Sequence, residues 1–184
     1  MSSNTTYTIQ KAQSQDLDAL VELEHRVFNT SDGMLARRSF RYHLASKNLL
    51  LVAKETNLSS SKLMGYILLL IHKHSARIYS LAVNPEQQRR GIAKALVTSA
   101  CTESLIRSLV EVNLEVKVTN IVALNLYEAL GFQKKAIRHN YYGNNEDAWH
   151  MQWRYVMSNK SLQQTNRNNK TRYRLKKTRG SLCL

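Results

Sequence analysis

The stretch MGYILLLIH, Met64–His72, constrains the chain more than any other. Its unbroken apolar centre, Ile67–Ile71, is five residues long, far short of the roughly 18 that a membrane span requires. A run this short and this apolar reads as a buried strand. Ala76–Val83 follows after a brief polar break and reads as a second strand, so the middle of the chain is committed to a sheet.

The remaining periodicities can be placed around that pair. Tyr7–Lys11 alternates as a short first strand. Asp16 is placed to cap a helix whose apolar positions Leu17, Leu20, Val21, Leu23, Val27 and Phe28 recur at helical spacing. Asn29–Gly33 breaks it, and Arg37–Ser46 reads as a second short helix with Phe40 and Leu44 inward. Asn48–Lys54 is a strand, joined through the polar loop Thr56–Lys62 to the apolar one. After Val83 come a polar turn, a helix to about Ser108, a strand at Glu111–Lys117 and a helix at Asn120–Leu130. Gly131 stands where a left-handed C-terminal cap is wanted. Gln133–Arg138 and Ala148–Arg154 are the last strands. The order β-α-α-β-β-β-α-β-α-β-β puts antiparallel strands first and a β-α-β unit after them. That predicts an α+β domain with a mixed, mostly antiparallel sheet flanked by helices.

Composition excludes several classes. With 184 residues and 43 % hydrophobic content the chain can build one core. Its start, MSSNTTYTIQKAQSQ, has no apolar segment of the secretory kind, and no membrane association is expected. Two cysteines, Cys101 inside a helix and Cys183 near the end, make no disulfide framework and fit a reducing cytoplasm. The histidines are scattered, His72 and His74 bracketing a lysine, and no metal site is predicted. The net charge of +14 is uneven: from Ser158 onward there are eight Lys/Arg residues and no acid. Residues 1–157 are therefore read as the domain, and 158–184 as a basic tail with no helical or strand period. Such a tail is either a solvated extension or an arm for an anionic partner such as ribosomal RNA.

The polar turn between Val83 and the next helix, PEQQRRGIAKAL, carries the chemistry. A helix start offers backbone N–H groups without partners and the positive end of the helix dipole, which together bind phosphate. Gly91 admits a close ligand, Ala93 keeps the next position small, and Arg89 and Arg90 add charge suited to a pyrophosphate. The Gly-Lys-Ser/Thr of a Walker loop is absent, and so are the three glycines of the dinucleotide fingerprint.

Gln88-Arg89-Arg90-Gly91-Ile92-Ala93, directly after the strand Ile78–Val83, resembles the acyl-CoA-binding motif of the GNAT N-acetyltransferases. VNLEVKVTNIVALNLYEALGF (Val112–Phe132) and IRHNYYGNNEDAWHM (Ile137–Met151) resemble the RimI-type protein N-terminal acetyltransferases, some of which act on a ribosomal-protein alanine. The resemblance implies acetyl-CoA as co-substrate, no metal, and a peptide or protein N-terminus as acceptor, with a ribosomal protein as one candidate. It also implies roles. The backbone of Leu81, Ala82 and Val83 would pair with the pantetheine arm, the Val83 N–H would hold the developing oxyanion, and Gln88 to Lys94 would receive the pyrophosphate. Asn120 would hydrogen-bond the cofactor arm, Tyr127 would protonate the leaving thiolate, and Glu115 would draw the proton from the incoming ammonium, directly or through water. Tyr141 and Tyr142 would line the peptide slot.

Each role has a plainer counterpart. Glu115 can simply pair with a lysine, Tyr127 can be a core aromatic, Asn120 can be a helix cap, and the two tyrosines can pack a hairpin. The basic cluster Arg37, Arg38, Arg41, His43 and Lys47 suits an acidic peptide or a solvated helix face equally. Two other functions stay open at this level: a GNAT enzyme acting on a small amine, an amino acid or a lysine side chain, and a non-catalytic acyl-CoA-binding or RNA-associating module.

Overall fold

The computed structural model describes residues 6–28, 33–56, 62–142 and 145–156. The basic tail expected at 158–184 lies outside the described residues. The elements are β1 (Tyr7–Lys11), a 3-10 turn at Ser14–Asp16, α1 (Leu17–Val27), α2 (Arg37–Ala45), β2 (Leu49–Glu55), β3 (Leu63–Ile71) and β4 (Ala76–Val83), then a 3-10 turn at Pro85–Gln87, α3 (Ile92–Ile106), β5 (Glu111–Lys117), α4 (Ile121–Ala129), β6 (Gln133–Arg138) and β7 (Ala148–Arg154). This is the expected order.

The strands form one 7-stranded sheet in the order β1-β2-β3-β4-β5-β7-β6. Every pairing is antiparallel except β4 with β5. The parallel pair is the one joined through α3, because parallel neighbours need a crossover. β3, the apolar run, lies third in the sheet with both faces covered. Ile67 and Leu69 join a core with Leu96, Val97 and Ala100 of α3 and Leu124 and Tyr127 of α4. Tyr66 and Leu68 join a second core with Leu20 and Leu23 of α1 and Phe40 of α2. A side chain such as Leu96, wholly removed from solvent, contributes about 2–3 kcal/mol of hydrophobic stabilisation. Gly65 has no room for a side chain: a Cβ there would stand 2.9 Å from the Ala82 carbonyl oxygen.

Two features of β4 shape the sheet around its C-terminal half. Its register with β3 slips between Leu68 and Leu69, which face Ser80 and Ile78, so Tyr79 is an extra residue. This bulge reverses the alternation: Ala76 and Ile78 point into the α3 side, while beyond Tyr79 it is Leu81 and Val83 that do so. The second feature is the short pairing with β5, registered only at Ala76–Val112, Arg77–Asn113 and Ile78–Leu114. Past those pairs, Tyr79–Val83 has no registered partner on its β5 side and Glu115–Lys117 has none on its β4 side.

Asp16 differs from its expected role. It occupies the position before α1, yet its side chain makes no capping bond to that helix. One carboxylate oxygen accepts the Gln13 N–H at 2.9 Å. The other lies 2.5 Å from Lys54 Nζ, in an ion pair whose two side chains are each 7 % exposed. The buried cation outcompetes the helix terminus for the carboxylate, since water could satisfy the terminus but not the lysine. At the end of α4, Gly131 has φ +88°, the left-handed cap conformation anticipated from its place after the helix.

Candidate active site

The sheet opens where β4 and β5 part, and Glu115, Tyr127, Tyr141 and Tyr142 lie together there. Glu115 is the first β5 residue beyond the registered pairs. Its side chain lies on the sheet face opposite Leu114 and Val116, which enter the α3–α4 core. Arg77, not a lysine, is its partner: Oε2 accepts from Arg77 Nε at 2.6 Å and pairs with the Nη2 of the same guanidinium at 2.6 Å. Oε1 meets His150 Nδ1 at 3.1 Å, across the β5–β7 register that sets Glu115 opposite His150.

Tyr141 and Tyr142 follow β6 and close over this pair. Arg77 Nη2 also donates to the Tyr141 hydroxyl, and the Tyr142 hydroxyl donates to the Glu115 backbone carbonyl at 3.2 Å. The two rings meet edge to face, 5.0 Å between centroids. Lys117 Nζ stands 5.3 Å over the Tyr142 ring and pairs with Glu146 at 2.9 Å. Burial pushes the Tyr142 hydroxyl up to about 12, with Tyr141 and Glu115 adding to the rise.

Tyr127 approaches from the other face, on α4. It is buried, with its ring 5.5 Å from Phe132. Burial raises its hydroxyl well above the ordinary phenol value, and the neighbouring Tyr142 adds to the rise. The group is therefore protonated throughout the neutral range, as a proton donor must be. Its hydroxyl makes no hydrogen bond to another described residue. Asn120 caps α4, Oδ1 accepting the Ala123 N–H at 3.1 Å.

The turn after β4 is built by Asn84, whose side chain accepts the Glu86 N–H at 3.2 Å, and by left-handed Arg89 (φ 61°) and Gly91 (φ 76°). The first bond of α3 runs from Ala95 N to Gly91 O at 2.9 Å. The amides of Ile92, Ala93 and Lys94 precede it and have no intrahelical acceptor. Gln88, Arg89 and Lys94 are exposed around them, while Arg90 bonds Gln87. A free strand edge at Leu81–Val83 thus leads to a helix N-terminus ringed with cations. A cleft of about 210 Å³ lined by α1, Lys62, Leu63 and Asn84 contains none of Glu115, Tyr127, Tyr141 or Tyr142.

The sequence matches the Acetyltransferase (GNAT) family over residues 15–132. This chain belongs to that family. It is an enzyme that transfers an acetyl group from acetyl-CoA to an amine. The ribosomal protein bS18-alanine N-acetyltransferase of Escherichia coli strain K12 is 30 % identical to it over 137 residues, 73 % of this chain and 86 % of the relative. The crystal structure of the Escherichia coli ribosomal-protein-S18-alanine N-acetyltransferase superposes with a TM-score of 0.72 at 28 % identity, covering 83 % of this chain and 96 % of that one. A Thermoplasma acidophilum N-acetyltransferase in complex with coenzyme A superposes at 0.67 with 20 % identity, over 82 % of this chain and 99 % of that one, and shares the fold.

The parts suit the GNAT co-substrate: a strand edge for an amide-bearing arm, and helix-start amides with exposed cations for a pyrophosphate. Among the described residues no group of three His, Cys, Asp or Glu side chains is arranged to hold a metal, and no helix is long and apolar enough to cross a membrane. Cys101, placed inside a helix by the sequence, is buried, and burial raises its thiol to about 12.

Three polar side chains with buried or half-buried partners have no signal in the sequence. Arg77 and His150 reach Glu115 only through the sheet register. Glu24 of α1 is buried, its carboxyl raised by that burial. It accepts the Leu35 N–H at 2.7 Å and the Tyr66 hydroxyl, which in turn lies 2.7 Å from Ser80 Oγ beside the β4 bulge.

Proposed function

We propose that this acetyltransferase modifies the α-amino group of a protein N-terminus, with a ribosomal protein as the leading substrate class. The observation that carries the reading is the meeting of Glu115, Tyr142 and Tyr127 at the one place where β4 and β5 part. The named activity of the Escherichia coli relative supports the acceptor class.

In this reading the Leu81–Val83 edge takes the pantetheine arm as an added strand, and Gln88 to Lys94, with Gly91, Ile92 and Ala93 nearest, receive the pyrophosphate. The Asn120 amide, whose oxygen is spent on capping α4, turns its NH2 to the arm. The Val83 N–H stabilises the oxyanion that forms as the amine attacks the thioester. Glu115 draws the proton off the ammonium, and Tyr127 gives its own to the departing thiolate. Tyr141 and Tyr142 line the slot through which a peptide end arrives. Two cationic side chains at the rim, Arg77 and Lys117, are each paired with a carboxylate, so the slot presents aromatic surface rather than bare charge.

Mass spectrometry with site localisation tests this on a panel of free N-terminus peptides with varied first residues, N-terminally blocked lysine peptides and small amines. Acetylation confined to α-amino groups is the expected result. Transfer only to lysine or small amines would keep the fold and co-substrate and overturn the acceptor class. We further infer that the catalytic domain closes near residue 157, works in the cytoplasm, and uses the basic segment 158–184 as an arm toward RNA or the ribosome. A chain ending at Met157 is expected to keep peptide acetylation and to lose ribosome co-sedimentation. Equal co-sedimentation of both chains would dismiss the arm.

A further inference from the structure

Glu24 is a buried carboxylate with no part in the acetyl transfer described above. Both of its oxygens are taken by donors, the Leu35 N–H on Oε1 at 2.7 Å and the Tyr66 hydroxyl on Oε2. Burial raises the carboxyl, and these two bonds oppose the rise. Tyr66 is fully buried, and burial with the Glu24 charge beside it holds its hydroxyl protonated. A phenol has a single hydrogen to give, and this one goes to Glu24. The 2.7 Å contact between the Tyr66 oxygen and Ser80 Oγ therefore has Ser80 as its donor. Ser80 also has a single hydrogen, so Oγ is left with lone pairs only. It makes no other hydrogen bond to a described residue.

Ser80 lies on the sheet face that carries Glu115. It is registered opposite Leu68 and shares its face, the one covered by α1 and α2. Glu115 projects on that same face, away from Leu114 and Val116. Ile78 is the last β4 residue to pair with β5, and Leu114 is its partner. Glu115 comes next on β5, and Ser80 follows the bulged Tyr79 on β4. The two side chains thus flank the opening, one from each strand, and Ser80 is half-buried there.

We propose that Ser80 Oγ binds the acceptor's ammonium group beside Glu115, and that Glu24 and Tyr66 are positioning residues that keep the Ser80 hydrogen turned away from it. This rests on the reading of Glu115 as the group that draws the acceptor's proton off. A primary ammonium carries only donors. One N–H points to the Glu115 carboxylate and another to Ser80 Oγ. A hydroxyl free to rotate also meets an ammonium with its hydrogen, which repels it. The buried chain from Ser80 through Tyr66 to Glu24 removes that orientation, because the carboxylate at its far end fixes both hydrogens. The direction of the chain is a property of that carboxylate. In Glu24→Gln the amide oxygen accepts from Leu35 as before, and the amide NH2 donates to the Tyr66 oxygen. Tyr66 then gives its hydrogen to Ser80, and the Ser80 hydrogen turns toward the acceptor. Shape is kept and polarity is reversed.

The test is steady-state acetylation of the peptide that the wild type modifies fastest, using Ser80→Ala, Glu24→Gln, the double variant and Glu115→Gln. Acetyl-CoA affinity by calorimetry and the melting temperature are measured on each. Expected for Ser80→Ala is an acceptor KM raised about tenfold, with kcat within about threefold of the wild type and unchanged acetyl-CoA affinity. Glu24→Gln should raise the acceptor KM at least as far, although it never touches the substrate. In the Ser80→Ala background Glu24→Gln should add nothing to KM, because its effect passes through the Ser80 hydroxyl. A merely structural Glu24 would lower the melting temperature in both backgrounds and move KM in neither. A wild-type acceptor KM in Ser80→Ala overturns the ammonium contact, and that variant tests it independently of whether the buried Gln is tolerated. A wild-type KM in folded Glu24→Gln, or a rise that persists undiminished in the double variant, overturns the positioning chain. Full turnover in Glu115→Gln would instead overturn the reading of Glu115 on which the proposal rests.

Discussion

Tyr127→Phe lowers kcat for acetyl transfer at least tenfold, which is about 1.4 kcal/mol of transition-state stabilisation, while acetyl-CoA affinity stays nearly unchanged. The expectation comes from what the substitution removes. The ring packs against Phe132 inside the core, and Phe keeps that packing. The hydroxyl has no bonding partner among the described residues, so its loss breaks nothing in the folded state. Burial keeps it protonated, which suits the proposed role of donating where negative charge grows on the departing sulfur. An interaction made only in the transition state shows in kcat and not in ground-state binding. Single-turnover kinetics with calorimetric titration of acetyl-CoA separates the two. Full turnover in the Phe variant would show that Tyr127 is a core aromatic and nothing more.

The largest effect on stability is expected far from the opening. Asp16→Ala costs about 3–5 kcal/mol, because it leaves a buried ammonium without its counter-ion. Asp16 and Lys54 are 6 % and 5 % exposed, and Lys54 has no other charged partner among the described residues. The loss is a fifth or more of the stability of an ordinary domain, about 5–15 kcal/mol. Urea denaturation measures it. Adding Lys54→Met should recover most of the loss, since an apolar side chain in place of the stranded cation removes the penalty. A decrease below about 1 kcal/mol would mean that Lys54 swings out to water from the end of β2, and the pair would then rank with exposed salt bridges.

The strands and helices were readable because each carries its burial pattern within itself. MGYILLLIH needs no partner to be recognised as a covered strand, and the run Asn120–Leu130 followed by Gly131 marks α4 and its cap. The strand–turn–helix around Gly91 was legible for the same reason: the turn chemistry lies within a few consecutive residues. Asp16 shows the boundary of this kind of reading. Its position before a helix is local information, whereas its ion pair with Lys54 depends on β2 passing beside the 3-10 turn.

What the residues determined alone is the order of elements, the mixed sheet and the family of the chain. These rest on contacts between near neighbours and on periodicity. What only the tertiary structure decided is the environment of Glu115. The register of β4, β5 and β7 places Arg77 on one of its oxygens and His150 on the other, and a shift of one residue in either pairing would turn those side chains to the opposite face. The bulge at Tyr79 and the parting of β4 from β5 are likewise properties of strand pairing. The chemical character of a carboxylate depends on the charges within a few ångströms of it, and strands distant in the chain supply them.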